Sequence, residues 1–331
     1  MATAQQDILN RYSKVAVVGA GVIGTSWTAL FLAHGLAVVV NDPRPDVETI
    51  VRDYIRNNLS TLKELGLPTD NLEKKLSFEA DLERSVTGAD LVQENGPERI
   101  EFKQDLWARI GKVVGEHALM LSSSSAKTAT EQALKTPRPG RLLVGHPFNP
   151  PHVIPLVEVV AGAETSSETV QQAMAFYTSI GKKPIHLRKE MAGHVANRLQ
   201  AALYREVVYL IEQGVLDVAD ADAAVCWGPG PRWGVMGPNL LFHLGGGQGG
   251  IQHFMEHLSG PLAGLWKDLG PLTEFTPQVK QTIIDGVLQE AAGRSIDQLA
   301  EERDEVLLGL LALRTKQAKP YAVAPKMAKV K

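Results

Sequence analysis

The string Gly19-Ala20-Gly21-Val22-Ile23-Gly24 stands directly after a β-branched apolar run and directly before a helical pattern. Spacing of this kind suits a pyrophosphate. Gly19 permits a tight turn, Gly21 lets the backbone approach phosphate, and Gly24 lets the helix press on the strand. The helix start, through Val22 and Ile23, then offers unpaired N–H groups and a partial positive charge to the same anion. Asp42 closes the next apolar run, about 20 residues on, where a carboxylate would take ribose hydroxyls. A carboxylate there favours NAD over NADP, because a 2′-phosphate would meet like charge, although Arg44 two residues later weighs the other way. NAD is the expected cofactor.

The elements that must position these residues follow from periodicity. Short apolar runs alternate with amphipathic segments through the first half, the pattern of a parallel sheet covered by helices. Strands are expected at Val15–Val18, Ala37–Val40, Asp90–Gln93, Leu119–Leu121, Leu142–Gly145 and Leu156–Val160. Helices are expected at Val22–His34, from Asp46 to Leu65, and from Glu98 to near Val114. Beyond Lys189 the β-branched runs thin out and helical periodicity takes over. Val195, Leu199, Leu203, Val207, Leu210 and Ile211 fall at three- and four-residue steps and make one apolar stripe. A short helix is expected near Val218–Val225, then a Gly/Pro-rich stretch from Gly228 to Gly250 too irregular for one long element. Two further helices are expected at Gln278–Ala292 and Ile296–Leu313, the latter opened by Ser295 and Gln298 as a capping box. The fold class is therefore α/β: a Rossmann-type doubly wound sheet over residues 1–189, then an all-helical domain over 190–315. Residues 316–331 form a tail with five lysines and no acid, expected to fray.

With the glycine string placed, further motifs come into view: Gln93-Glu94-Asn95-Gly96-Pro97-Glu98, Leu121 to Ser125, Gly145-His146-Pro147-Phe148-Asn149-Pro150, Leu156-Val157-Glu158-Val159-Val160 and Gly193-His194-Val195-Ala196-Asn197-Arg198. In this order the chain resembles the 3-hydroxyacyl-CoA dehydrogenase superfamily, from about Val15 to Leu313. Within it the chain looks most like the free-acid branch of lambda-crystallin, L-gulonate 3-dehydrogenase and L-carnitine dehydrogenase. The resemblance implies His146 as catalytic base, Glu158 as its partner, and Ser125 and Asn197 on the reacting oxygen. Ser125 is singled out by the family's spacing to His146. Glu98 and Lys103 match positions that touch the cofactor near its nicotinamide end, and the helical domain is implied to form a homodimer. Two departures stand near the expected site: Ala126-Lys127 where the family usually has an apolar pair, and His194 where it often has Phe.

The residue types fit that chemistry. Removing hydride from a carbinol carbon requires loss of the hydroxyl proton, and imidazole accepts and returns a proton near neutrality. A carboxylate on the other ring nitrogen fixes the tautomer and stabilises the imidazolium. Glu158 lies among valines on an expected strand, where an unpaired carboxylate is costly, so it wants a partner such as His146 on the neighbouring strand. The plain alternatives are a turn residue for His146, a surface strand residue for Glu158, a strand end for Ser125 and a helix start for Asn197. Glu98 would be favourable near a helix N-terminus in any case. A free carboxylate on the substrate would want an arginine fork, for which Arg232, beside Trp233, is the candidate. A surface arginine stacked on Trp233 is the other reading, and Trp233 with Phe242 could instead cage a quaternary ammonium. Tyr204, Trp227 and Trp266 read as core or dimer aromatics. Between Asp46 and Leu65, Arg52, Arg56 and Lys63 are balanced by acids, which is no polyphosphate patch and favours a free acid over a CoA ester.

Composition sets the outer limits. Across 331 residues, 44% are hydrophobic, 21% are charged, and the net charge is −3, which argues against nucleic acid as a partner. A lone cysteine, Cys226, allows no intrachain disulfide and suits a reducing compartment. The polar start resembles no signal peptide, and no run is long enough to span a bilayer, so a cytoplasmic protein without a membrane partner is expected. His253 and His257 are four apart without a third ligand in view, so no metal is expected. The expected reaction interconverts a small 3-hydroxy acid and its 3-keto acid. A CoA-ester dehydrogenase, a non-enzymatic NAD-binding or crystallin-like protein, and a biosynthetic carbonyl or imine reductase are the rivals.

Overall fold

The structure is a computed structural model and describes residues 2–317, so the basic tail lies almost wholly outside the described residues. Compact packing divides the chain into two units, between Arg198 and Leu199.

The first unit is built on an eight-stranded sheet in the order β3-β2-β1-β4-β5-β6-β7-β8. The strands are β1 (Lys14–Val18), β2 (Ala37–Asn41), β3 (Leu76–Phe78), β4 (Leu91–Glu94), β5 (Leu119–Ser122), β6 (Leu142–Pro147), β7 (Leu156–Ala161) and β8 (Lys183–Leu187). Strands β1 to β6 run parallel, as their apolar runs predict, and both faces are covered. On one face, Trp27 and Phe31 of helix Val22–Ala33 stack at 5.2 Å and meet Tyr177 and Phe176 of helix Ser167–Ser179. On the other, Trp107 and Ile110 of helix Ile100–Val113 are fully buried. Each fully buried aliphatic or aromatic side chain of this kind contributes about 1.5–3 kcal/mol.

The parallel run ends at β7, which pairs antiparallel with β6, while β8 is parallel to β7. Only residues 148–155 join β6 to β7, too few for the crossover that a parallel neighbour requires. This reversal brings His146 directly opposite Glu158 in the register. The helix expected from Asp46 to Leu65 breaks at Asn58 into Val47–Asn57 and Leu59–Glu64. The stretch 190–198 belongs to the first unit because Glu190 binds Thr130, and the amides of Val195 and Ala196 bind Glu158.

The second unit is helical: Leu199 to Glu212 continue the helix Ala196–Glu212, and Val218–Trp227, Pro229–Val235, Pro238–Gly245, Gly250–Asp268, Pro277–Ala291 and Ile296–Gln317 follow. Its buried apolar cluster is small: Ile211, Val218 and Ala221, with Val207 and Leu216 against them. A Cβ on Gly286 would lie 2.3 Å from Val218, so glycine lets helix Pro277–Ala291 approach that cluster. Ser295 and Gln298 cap each other reciprocally, as their spacing predicts. The apolar stripe starting at Val195 is buried only late: Ile211 is covered, whereas Val195, Leu199 and Leu203 are exposed. No helix of the described residues is long and apolar enough to cross a membrane.

Candidate active site

The sheet changes winding direction between β1 and β4, the crevice where open α/β sheets take their ligands. The loop after β1 and the loop after β4 meet there. Gly19 has φ +88, and a Cβ on it would come within 2.9 Å of the Asn95 backbone, so only glycine lets the loops touch. A Cβ on Gly24 would lie 1.9 Å from the Gly19 carbonyl oxygen, which seats helix Val22–Ala33 against the turn. Above Gly21 the space is open, with nothing within 4 Å of an added Cβ. Gly21 caps the helix without a side-chain hydrogen bond, and Val22 is 64% exposed beside it. An uncapped helix start under open space fits a pyrophosphate, so these residues can hold a dinucleotide. Asp42 sits at the end of β2, and its carboxylate accepts from the Ala20 amide at 2.8 Å and from Arg44. Burial alone would raise this carboxyl, but the Arg44 and Ala20 hydrogen bonds more than offset it and hold it below its usual value.

The loop after β4 is fastened to the serine run that leaves β5. Ser122 donates to Glu94 at 2.6 Å, Ser123 to Asn95 at 2.7 Å, and Ser124 to Glu98 at 2.7 Å. Ser125 donates to Glu98 twice, from its amide at 2.7 Å and its hydroxyl at 3.2 Å. Burial pushes the Glu98 carboxyl up, yet the Ser124 hydroxyl, the Lys103 ammonium and Ser125 together hold it below the ordinary range. Lys103 is itself 1% exposed, and its ammonium is bound by both oxygens of buried Glu94, at 2.7 and 2.9 Å. It lies 3.7 Å from Glu98, so it acts on the surface through the two glutamates it anchors. Glu94 was not singled out from the sequence. Its signal in the sequence is its place after Leu91-Val92-Gln93 at the end of an expected strand, where a carboxylate wants a partner as Glu158 does.

The second cluster joins β6, β7 and the stretch leading into helix Ala196–Glu212. His146 Nδ1 is 2.9 Å from Glu158 Oε2, while Glu158 Oε1 accepts from the amides of Val195 at 2.8 Å and Ala196 at 3.0 Å. Glu158 is fully buried and His146 is 6% exposed. Burial by itself would raise the Glu158 carboxyl, but the His146 bond and the two amides bring it below its usual value. An ionised carboxylate can only accept, so Nδ1 carries the proton and Nε2 of the neutral ring keeps a free lone pair. Asn197 follows Ala196 in the first helical turn and is half-buried.

His194 is close by, its ring centroid 5.0 Å from that of His146. Its Nε2 is 3.0 Å from the Ser124 carbonyl oxygen, which fixes Nε2 as the protonated nitrogen. His194 also has φ 51, a left-handed conformation that strains a residue with a Cβ, and its buried Nδ1 has no hydrogen-bond partner. The departure from Phe thus ties the serine run to the wall beside His146. A cis peptide bond joins Asn149 to Pro150 in the loop after β6.

Arg232 and Trp233 lie elsewhere in the chain, on helix Pro229–Val235 of the second unit, and both are exposed. Phe242 stacks on Phe254 at 4.6 Å. Tyr204, Trp227 and Trp266 are 44%, 85% and 67% exposed, which removes the core reading for them. Among the described residues no group of three His, Cys, Asp or Glu is placed to hold a metal.

The chain is similar to known proteins over most of its length. The NAD binding domain of 3-hydroxyacyl-CoA dehydrogenase matches residues 14–191, and its C-terminal domain matches 193–286. An L-carnitine dehydrogenase of a Pseudomonas species is 39% identical over 92% of this chain and 95% of its own length. One from Streptomyces griseus is 41% identical over 90% and 89%. A 3-hydroxyacyl-CoA dehydrogenase of Gibberella moniliformis is 43% identical over 92% and 95%. Among solved structures, an NAD+-dependent 5-formyl-3-hydroxy-2-methylpyridine 4-carboxylic acid 5-dehydrogenase superposes with TM-score 0.78 at 29% identity, covering 92% of this chain and 98% of that one. This chain is an NAD-binding oxidoreductase and belongs to the 3-hydroxyacyl-CoA dehydrogenase family.

Proposed function

We propose that the chain oxidises the hydroxyl of a small free 3-hydroxy acid to the 3-keto acid, with His146 as the base that takes the hydroxyl proton. The observation that carries this is the division of Glu158: one oxygen on His146 Nδ1, the other on two backbone amides. A carboxylate held in that way keeps the ring oriented and leaves Nε2 proton-free. NAD, when bound, supplies the hydride acceptor. As the carbinol loses its hydride, Nε2 accepts the hydroxyl proton, and Glu158 stabilises the imidazolium that results. Asn197 donates to the reacting oxygen, and Ser125 joins it by turning its hydroxyl from Glu98 toward the substrate while its amide stays on Glu98. Glu98, with Lys103 behind it, holds the Ser125 loop at the nicotinamide end of the crevice.

Two observations favour a free acid over a CoA ester. The Pseudomonas and Streptomyces griseus relatives are L-carnitine dehydrogenases by name, and L-carnitine is a free hydroxy acid. Arg52 and Arg56 are also already paired, Arg52 with Glu48 and Glu73, and Arg56 with Asp53, so neither stands ready for a polyphosphate. The test is NADH formation across carnitine, gulonate, 3-hydroxybutyrate and 3-hydroxybutyryl-CoA. A free acid is expected to give the highest kcat/KM. A clear preference for the CoA ester would overturn the substrate assignment and leave the dehydrogenase intact.

We also propose that the second unit associates with a second copy of this chain. Leu199, Trp227, Trp266 and Leu288 are each more than half exposed, and interfaces of obligate dimers are built from such apolar surface.

A further inference from the structure

Asp42 is already saturated. Its Oδ1 accepts from the Arg44 amide at 3.0 Å and Arg44 Nε at 2.8 Å, and its Oδ2 from the Ala20 amide at 2.8 Å and Arg44 Nη2 at 3.1 Å. A carboxylate offers about four acceptor positions, and these four bonds use them. The same Nη2 reaches the Ala20 carbonyl oxygen at 2.8 Å, so the guanidinium closes a bridge between the end of β2 and the glycine turn. A ribose diol can reach the carboxylate only by displacing a donor. The Ala20 amide is part of the turn and stays, whereas the guanidinium ends a side chain that is 42% exposed and can swing.

Where it swings is restricted. Arg44 stands between Pro43 and Pro45, which fix the backbone on both sides, so the side chain alone moves. The displaced fork remains tethered beside the ribose edge. Asp46, two residues on, is a further acid that attracts the guanidinium. In an NAD-strict site the carboxylate is unpaired and repels a 2′-phosphate. Here its charge is neutralised by a group whose geometry matches phosphate bidentately.

We infer that Arg44 is a specificity-determining residue at the adenosine end: it latches Asp42 in the free enzyme and accepts a 2′-phosphate when displaced, so that the enzyme binds NADP(H) as well as NAD(H). The inference rests on the dinucleotide site described above and goes beyond it in cofactor range. Equilibrium binding of NADH and NADPH to the full-length protein, followed by nicotinamide fluorescence, tests it without turnover. The native protein is expected to bind both, with NADH tighter by less than about a hundredfold. Arg44→Ala is expected to weaken NADPH at least about tenfold while NADH changes by less than about threefold, since the lost contact is a charge-assisted pair to phosphate alone. Asp42→Asn is expected to narrow the gap from the other side. Undetectable NADPH binding in the native protein, or equal changes for both nucleotides in Arg44→Ala, overturns the inference. Loss of NADH binding in Gly21→Val would still support the glycine turn as the dinucleotide site, so failure of the latch is distinguishable from failure of the site.

Discussion

The first unit covers itself and the second does not. In the first, both faces of the sheet carry helices, and side chains as large as Trp27, Trp107 and Tyr177 are fully buried. In the second, smaller unit, most large apolar side chains stand exposed, Trp227 at 85% and Val306 at 75% among them. Polar groups divide in the same way. The first unit buries carboxylates, two lysines and imidazoles and gives its buried carboxylates several donors, whereas in the second the ion pair between Arg294 and Glu302 is surface-exposed. Burial of polar groups is tolerated only where a rigid, already covered framework can satisfy them. The buried polar clusters therefore sit on the self-sufficient unit, and the apolar faces of the other are the surface that the proposed association would cover.

Three experiments break or sharpen this contrast. The largest effect belongs to the buried Lys103–Glu94 pair. Lys103→Met leaves an uncompensated carboxylate and is expected to destabilise the protein by about 3–5 kcal/mol, measured by urea unfolding. Adding Glu94→Leu should recover much of that loss. A loss under about 1 kcal/mol in the single variant would mean the first unit's polar core is not held as described.

Lys182 comes next. It donates to the carbonyl oxygens of Pro151 and Ile154, lies 5.4 Å over the Trp27 ring, and is pushed by burial from 10.5 down to about 7. The folded value is the lower one, so between about 7 and 10.5 the unfolded chain binds more protons and stability rises with pH. Below that window the protonated lysine remains a burden on the fold. Lys182→Met is expected to flatten the rise, read as urea midpoints at the two ends of the window. An unchanged slope would place the titration elsewhere.

In the second unit the expectation inverts. Leu199→Asp or Leu288→Asp should change monomer stability by no more than about 0.5 kcal/mol, because these side chains are already exposed. The same changes should abolish self-association, read by light scattering during size exclusion. A monomeric native protein would remove the second copy from the account.

Much of this was legible in the residues, for identifiable reasons. The glycine turn and strands β1, β2, β4, β5, β6 and β7 announce themselves because buried parallel strands need unbroken apolar runs. His146 and Glu158 were legible because a carboxylate among valines must have a partner. The edge strands were not. β3 has three residues, and β8 reads Lys-Pro-Ile-His-Leu, mostly uncovered along its length. Helix Ser167–Ser179 is marked in the sequence only by its cap, where Ser166 accepts from the Thr169 amide. Helix Gly250–Asp268 was hidden by Gly260, Pro261 and Gly264, which lower helix propensity without preventing the helix. The strain and tautomer of His194 depend on its backbone angle and on the Ser124 carbonyl, which no spacing reveals.

The central claim is that His146, held by Glu158, takes the proton. Its most direct test is the rate of NADH formation by His146→Ala with NADH affinity measured on the same preparation. The account predicts a fall in kcat of about 10²–10⁴-fold with nucleotide affinity unchanged, and a smaller fall for Glu158→Gln. Turnover of His146→Ala at the native rate would contradict it.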